Sequence, residues 1–292
     1  MEKTTKRRRG DRKDGVLLRN LDGMHFITPI IYPNRCDNEA YISETIDLTS
    51  MNAYLQKKNA QSADFPYTMF HIIVAALIKT ITLRPKMNRF IANKNFYQRN
   101  GVSASFVVKK QFADEAAEAL AVVRGKDEST LDTIHEDLRH QIMDCKDMTK
   151  TDTSTDFMDI FNRMPRWLGK FIVWILTRLD VHGWIPASII ETDPYYCTVV
   201  ISNLGSIKLH SGYHHLTNWG TNSIFVVIGE KHMAPFYQED GSVEMREVID
   251  LGVTLDERIA DGYYYSKTIK LLKHLLTHPE LLDQKSNEEV EF

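Results

Sequence analysis

Between Val243 and Leu255 the chain alternates, with Val243, Met245, Ile249, Leu251, Val253 and Leu255 on one side and Glu244, Arg246, Val248, Asp250, Gly252 and Thr254 on the other. A period of two belongs to a β-strand with one buried face, and Asp240-Gly241 supplies the turn before it. Continued one more step, the same period places Glu257 on the buried face with Leu255. The strand runs into Asp256-Glu257-Arg258-Ile259-Ala260-Asp261-Gly262 and then into a helix whose stripe is Tyr264, Leu271, Leu272, Leu275 and Leu276, closed by Pro279.

The rest of the chain mixes both periods. Ala40 to Leu48 reads as a strand followed by a helix from Ser50 to Gln56, and Pro66 is placed in the first turn of an apolar helix over residues 67–83 that Pro85 ends. Val102, Ala104, Phe106 and Val108 alternate within a strand expected over residues 95–110. Helical spacing is expected over residues 112–123 and again through Leu131, Ile134, Leu138 and Ile142, and residues 149–156 are turn-rich. An amphipathic helix is expected from Arg166 to Leu179, with Trp167, Phe171, Trp174 and Ile175 on one side. It reads as a lid or core helix, or as a membrane-surface or partner-binding one. Residues 195–201 and 223–229 are short β-branched strands separated by a loop that carries His210, His214 and His215.

Composition narrows the classes of function. Lys and Arg number 36 against 39 Asp and Glu, so the net charge of −3 provides no global field for nucleic acid or an anionic membrane; either would need a local patch. One such patch is the N-terminus, where Lys3, Lys6, Arg7, Arg8, Arg9, Arg12 and Lys13 face only Glu2, Asp11 and Asp14. It is read as a solvated arm or a strap on a neighbouring surface, and no nucleic-acid partner is expected. Cys36, Cys145 and Cys197 lie too far apart for a disulfide framework or a paired metal site, which fits a reducing compartment. No secretory leader follows the basic start, and the apolar stretch around Trp167 carries Lys170 and is too short to span a membrane, so the expected location is the cytoplasm.

Several motifs fail. His135-Glu136-Asp137-Leu138-Arg139-His140 separates its histidines by five rather than four positions, so they do not share a helix face; the segment reads as polar helix surface, and no metal site is expected. His214 and His215 are adjacent and point apart. No glycine-rich phosphate loop follows a strand, no Gly-x-Ser-x-Gly elbow is present, and the elements lack a regular βαβ rhythm, which argues against a doubly wound nucleotide-binding fold.

The segment Asp256-Glu257-Arg258-Ile259-Ala260-Asp261-Gly262 resembles the Asp-His-Arg-x-x-Asp-Gly signature of the catalytic domain of dihydrolipoyl acyltransferases of 2-oxo acid dehydrogenase complexes, a family that shares its fold with chloramphenicol acetyltransferase. Ile201-Ser202-Asn203-Leu204-Gly205 is similar to that family's Ile-Ser-Asn-Leu-Gly strand end, and residues 223–229 to its apolar strand ending in Gly. Glu44-Thr45-Ile46-Asp47 and the helix before Pro85 and Asn88 fit its early elements, so the resemblance spans about residues 23–282.

The resemblance implies an α/β fold, an α+β two-layer sandwich with a mixed sheet and helices, and a homotrimer whose active sites lie between subunits. It implies acyl transfer between CoA and a small thiol, hydroxyl or amine acceptor, with acyl-CoA as substrate and no covalently bound cofactor. Ser202 takes the position of the oxyanion donor and Glu257 that of the general-base His. Asp261 is matched to the residue that holds the site through a buried ion pair, with Arg35 as its expected partner. Asn203, His214 and His215 are expected to line the substrate site, and Gly262 to let the chain turn into the helix that Asp261 caps. A carboxylate serves as base only if desolvation raises its pKa, whereas an arginine partner would make it structural. The alternative is a catalytically inactive trimer that binds a ligand or partner as a scaffold. The expected organisation is a basic arm over residues 1–22, a catalytic domain over 23–283 with a hydrophobic insertion at 150–194, and an acidic tail over 284–292. No lipoyl or subunit-binding domain is expected, which weakens a role in the core of a dehydrogenase complex.

Overall fold

A computed structural model describes residues 7–60, 64–109, 118–146 and 163–292. In chain order the elements are β1 (Gly15–Leu17), α1 (Gly23–Ile31), β2 (Glu39–Asp47), α2 (Thr49–Asn59), α3 (Met69–Leu83), β3 (Arg89–Ala92), β4 (Asn95–Arg99), β5 (Val102–Lys109), β6 (Glu118–Gly125), α4 (Leu131–Lys146), α5 (Arg166–Val181), α6 (Ala187–Thr192), β7 (Val199–Asn203), β8 (Ile224–Ile228), β9 (His232–Tyr237), β10 (Val243–Asp256) and α7 (Gly262–Thr277).

The long alternating strand organises the main sheet. Its order is β2-β10-β8-β7-β5-β6, with β9 paired to the first half of β10, and β1, β4 and β3 form a separate small sheet. The pairs β5–β7 and β7–β8 are parallel and the others antiparallel, so the sheet is mixed. Val199, Ile201, Ile224, Val226, Leu251, Val253 and Leu255 point to one face and are buried with Ile72, Ile73, Ile78, Ile134, Leu138, Leu271 and Leu275 from the helices. The architecture is a two-layer α/β sandwich. A cavity of about 30 Å³, lined by Leu77, Ile81, Val226, Val253 and Leu272 among others, remains between the layers. On the opposite face Val200, Phe225 and Val227 are covered by Leu216 and Leu204 of the loop after β7.

Several expectations are corrected. Pro66 lies before the helix rather than in its first turn, because Thr68 caps α3 in a capping box with His71. The single strand expected over residues 95–110 is two, β4 and β5, in different sheets. Residues 118–123 are strand β6 rather than helix; Ala121 and Val123 are buried in the core while β6 pairs with β5 along its length, so sheet pairing overrides the local helical preference. The rest of that expected helix, residues 112–117, and the turn-rich segment 149–156 lie outside the described residues. His135 is buried rather than on a polar surface: its ring stacks on Tyr67 at 3.8 Å, while His140 is exposed. The acidic C-terminal segment is tied down, with the buried Lys79 Nζ donating to the Lys285 carbonyl at 2.7 Å and Ser286 N–H to Ser129 O at 2.8 Å.

Candidate active site

Ser202 sits at the C-terminal end of β7, in register with Val227 of β8, which is itself in register with Gly252 of β10. It shares the parity of Val200, so it belongs to the face away from the helices. Asn203 follows, with its Oδ1 buried and unpartnered among the described residues. The loop beyond it folds back over this face. Ser211 Oγ donates to Val227 O at 3.1 Å, and a Cβ on Gly252 would collide with the Gly212 carbonyl, so glycine is what lets the loop lie on the sheet. The His214 ring stacks on Phe225 at 4.2 Å and 9°, and its Nδ1 meets the His215 carbonyl at 3.0 Å. Glu39 fastens the loop's far end, accepting from Leu216 N–H at 2.5 Å and from Tyr41 OH at 2.6 Å. Ser202 and His214 are therefore grouped on one face, with the His215 ring 4.6 Å from His214, while Asn203 has the opposite parity at the end of β7.

The second group, around Glu257, is at the other end of the sheet. After Asp256 the chain enters a 3-10 turn, Glu257–Ile259, which ends the period of two; Glu257 is exposed, against the expected burial with Leu255. Its backbone is held, the N–H donating to Asn38 O at 2.9 Å, while its side chain has no hydrogen-bond or ion-pair partner among the described residues. The neighbouring arginine does not neutralise it. Arg258 is buried and donates to Asp256 from Nε at 2.7 Å and Nη2 at 2.6 Å, with Nη1 on the Tyr32 carbonyl at 2.6 Å.

The buried ion pair also differs from expectation. Asp261 is exposed and caps α7, accepting from Tyr264 N–H at 2.8 Å, with Lys86 Nζ at 3.8 Å; the capping role is as expected and the buried pair is not. The buried carboxylate is Asp256, which Arg35 approaches to 3.9 Å while donating to the carbonyls of Thr217, Ile91 and Gly220. Burial lowers the Arg35 pKa, against the opposing pull of Asp256. Asp256 and Arg258 are the site residues that sequence reasoning passed over. Their signal was available: they flank Glu257 at alternate positions, where an acid and a base facing inward would pair.

Register fixes the separation of the two groups. Glu257 is five residues beyond Gly252, the residue level with Ser202 and two strands away from it. At 3.3 Å per residue and 4.8 Å per strand this is roughly 16 Å along the sheet and about 10 Å across. One chain does not bring Ser202 and Glu257 together.

Residues 192–283 match the sequence model of the 2-oxoacid dehydrogenases acyltransferase (catalytic domain) family, a stretch that contains β7, β8, β10 and the turn at Glu257. Solved structures extend the likeness to nearly the whole chain. Dihydrolipoamide acetyltransferase from Azotobacter vinelandii superposes with a TM-score of 0.59 at 14% identity, covering 91% of this chain and 94% of that one. The fold is that of the chloramphenicol acetyltransferase-like acyltransferases. A probable dihydrolipoamide acetyltransferase from Listeria monocytogenes gives 0.56 at 13% identity over 94% of this chain and 98% of that one, and chloramphenicol acetyltransferase gives 0.53 at 12% over 90% and 99%. No curated protein matches in sequence. Among the described residues no group of three or more His, Cys, Asp or Glu is placed to hold a metal ion, and no helix is long and apolar enough to cross a membrane.

Proposed function

We propose that the chain is a CoA-dependent acyltransferase whose active site forms between copies, with Ser202 of one copy facing Glu257 of the next. The observation that carries this reading is the separation just described: the two residues matched to the family's oxyanion donor and base stand at opposite ends of one sheet. The surface beside Glu257 suits self-association. Arg258 binds the end of α1 through the Tyr32 carbonyl, and α1 exposes Phe26, Ile27, Ile30 and Ile31, an apolar face that a second copy would cover. Arg84 and Lys86 stand over the Tyr264 ring at 3.7 and 5.0 Å beside Asp261, so a polyanionic donor approaching this end meets positive charge. A homotrimer in the cytoplasm, with a catalytic domain from about residue 23 to 283, is the form in which we place this activity.

Chemically, Glu257 takes the proton of the acceptor's thiol or hydroxyl as it attacks the acyl carbonyl. Ser202 Oγ–H donates to the oxyanion, and the collapsing intermediate expels the CoA thiolate, to which the proton returns. Asn203, His214 and His215 line the acceptor side. The serine, histidine and asparagine studied in the Azotobacter enzyme's mechanism include a His–Asn spacing of four positions, the spacing of Glu257 and Asp261 here.

The experiment follows free-CoA release from a panel of acyl-CoAs with simple acceptors. Acceptor-dependent release that falls at least about tenfold in Glu257→Gln and in Ser202→Ala supports the reading. Activity regained when the two variants are co-expressed locates the site between copies. The second reading, an inactive scaffold, is favoured by the exposure of Glu257; no release above buffer, with CoA still bound, would establish it.

A further inference from the structure

We propose that α5 and the basic arm together dock the protein peripherally on an anionic lipid surface. The helix is divided lengthwise. Leu168, Ile172, Leu176 and Leu179 turn toward the molecule and are half-buried, while Trp167, Phe171 and Trp174 are 70%, 53% and 55% exposed, flanked by exposed Val173 and Ile175, with Trp184 exposed just beyond. The Phe171 and Trp174 rings stack at 6.1 Å, which makes one continuous aromatic stripe. Solvent is a poor environment for such a face.

The exposed charge on this helix has one sign. Arg166, Lys170 and Arg178 are exposed, and the Arg178 guanidinium lies 5.7 Å from the Trp174 ring. The helix's one acid, Asp180, is buried and neutralised from the arm: Arg12 Nη2 donates to its Oδ1 at 2.9 Å and Nη1 to its carbonyl, while Arg12 Nε holds Asp14 at 2.9 Å. Gly183, at φ +69, leaves room for the Arg12 stem, where a Cβ would come within 2.7 Å of it, and Lys13 Nζ donates to Ile185 O at 2.8 Å. These contacts fix Arg12 and Lys13 of the arm against the C-terminal end of α5, and Arg7, Arg8 and Arg9, three to five residues before Arg12, are exposed.

An interfacial helix with Trp and Phe on one face and Lys and Arg around them, reinforced by a second cluster of basic residues, is the two-signal arrangement by which peripheral proteins hold anionic membranes. The net charge of −3 would not bring the chain there, so the local patch has to. Aliphatic Val173 and Ile175 within the stripe suit acyl chains better than stacked nucleic-acid bases. Two copies meeting on this same face would set Arg166, Lys170 and Arg178 against like charge. The patch involves neither Ser202 nor Glu257, so it stands apart from the acyl-transfer reading.

The test is co-sedimentation of the full-length protein with phosphatidylcholine vesicles that contain phosphatidylserine, against pure phosphatidylcholine. Binding is expected to the anionic vesicles, to weaken with added salt, and to fall about tenfold or more both in Trp167→Ala with Trp174→Ala and in Arg7→Gln with Arg8→Gln and Arg9→Gln. All five side chains are exposed, and circular dichroism checks that the variants fold. Equal binding to both vesicles, no binding, or binding unchanged by either set of substitutions overturns the proposal. So does a change of oligomeric size in the Trp variant without vesicle binding, which would assign the face to a second copy, or retention of single-stranded RNA in place of vesicles.

Discussion

Asp256 and Arg258 close a two-pronged ion pair beneath the backbone of Glu257, at 2.6 and 2.7 Å with both side chains buried, and so aim the glutamate outward from a fixed turn. Tyr265 OH adds a bond to the Asp256 carbonyl at 3.0 Å and accepts from Ala260 N–H at 3.1 Å. The turn is rigid before any neighbour reaches it.

Replacing Asp256 with Asn leaves Arg258 buried without its counter-ion, which costs about 3 to 5 kcal/mol. The expected result is a large fall in the urea midpoint. Glu257→Gln, exposed and unpartnered, should change stability by less than about 0.5 kcal/mol. Equal stability losses in the two variants would contradict the division between a structural Asp256 and a presented Glu257.

Ser202→Ala removes one oxyanion donor, for which a fall of about 10² to 10³ in kcat is expected, with KM for the acyl-CoA little changed. Steady-state CoA release measures both. A rise in KM at constant kcat would make Ser202 a binding residue only.

Gly252→Ala places a methyl group against the Gly212 carbonyl, and the loop that seats His214 on Phe225 has to move away from the sheet. Overpacking of this kind costs about 1 to 3 kcal/mol. Acyl transfer should drop more than stability implies if the displaced loop carries the acceptor-side residues, as proposed for His214 and His215. Activity assayed well below the melting temperature separates the two effects.

The sequence made the C-terminal half legible because its signals were local. The strand β10, the short β-branched runs of β7 and β8 and the Leu stripe of α7 each appear in the structure, but β10 is not buried on one face: Val243 and Met245 are exposed where it pairs only with β9, and Gly252 and Thr254 are buried as well as Leu251, Val253 and Leu255. Three misreadings have one cause, a local pattern overruled by contacts remote in sequence or by a turn that the period does not encode. Residues 118–123 have the composition of a helix, but β5 supplies the partner that makes them a strand. The period of two predicted a buried Glu257, and it ends one residue earlier, where Asp256 accepts the Arg258 N–H and starts a 3-10 turn. His135 looked like polar surface because its burial depends on Phe65 and Tyr67, which no helical period reveals.

That buried histidine, paired with His71, makes the fold sensitive to acid. His71 Nδ1 accepts the Thr68 N–H at 2.8 Å, so its neutral proton is on Nε2, which has no partner among the described residues; the His135 ring is 4.7 Å away with Nδ1 also unpartnered. Burial lowers the His71 pKa from 6.5 to about 4, with the His135 ring adding to the effect, and burial lowers His135 as well against the pull of Glu136 and Asp132. Above pH 6.5 both states hold neutral imidazoles and stability is independent of them. As pH falls below 6.5 the unfolded chain takes up protons that the folded chain refuses, so stability declines until about pH 4, by about 3 kcal/mol for His71. Chemical denaturation at stepwise pH measures this slope. His71→Gln keeps an acceptor for Thr68 N–H in the capping box and should flatten the decline. An unchanged slope in that variant would assign the acid sensitivity to groups other than His71.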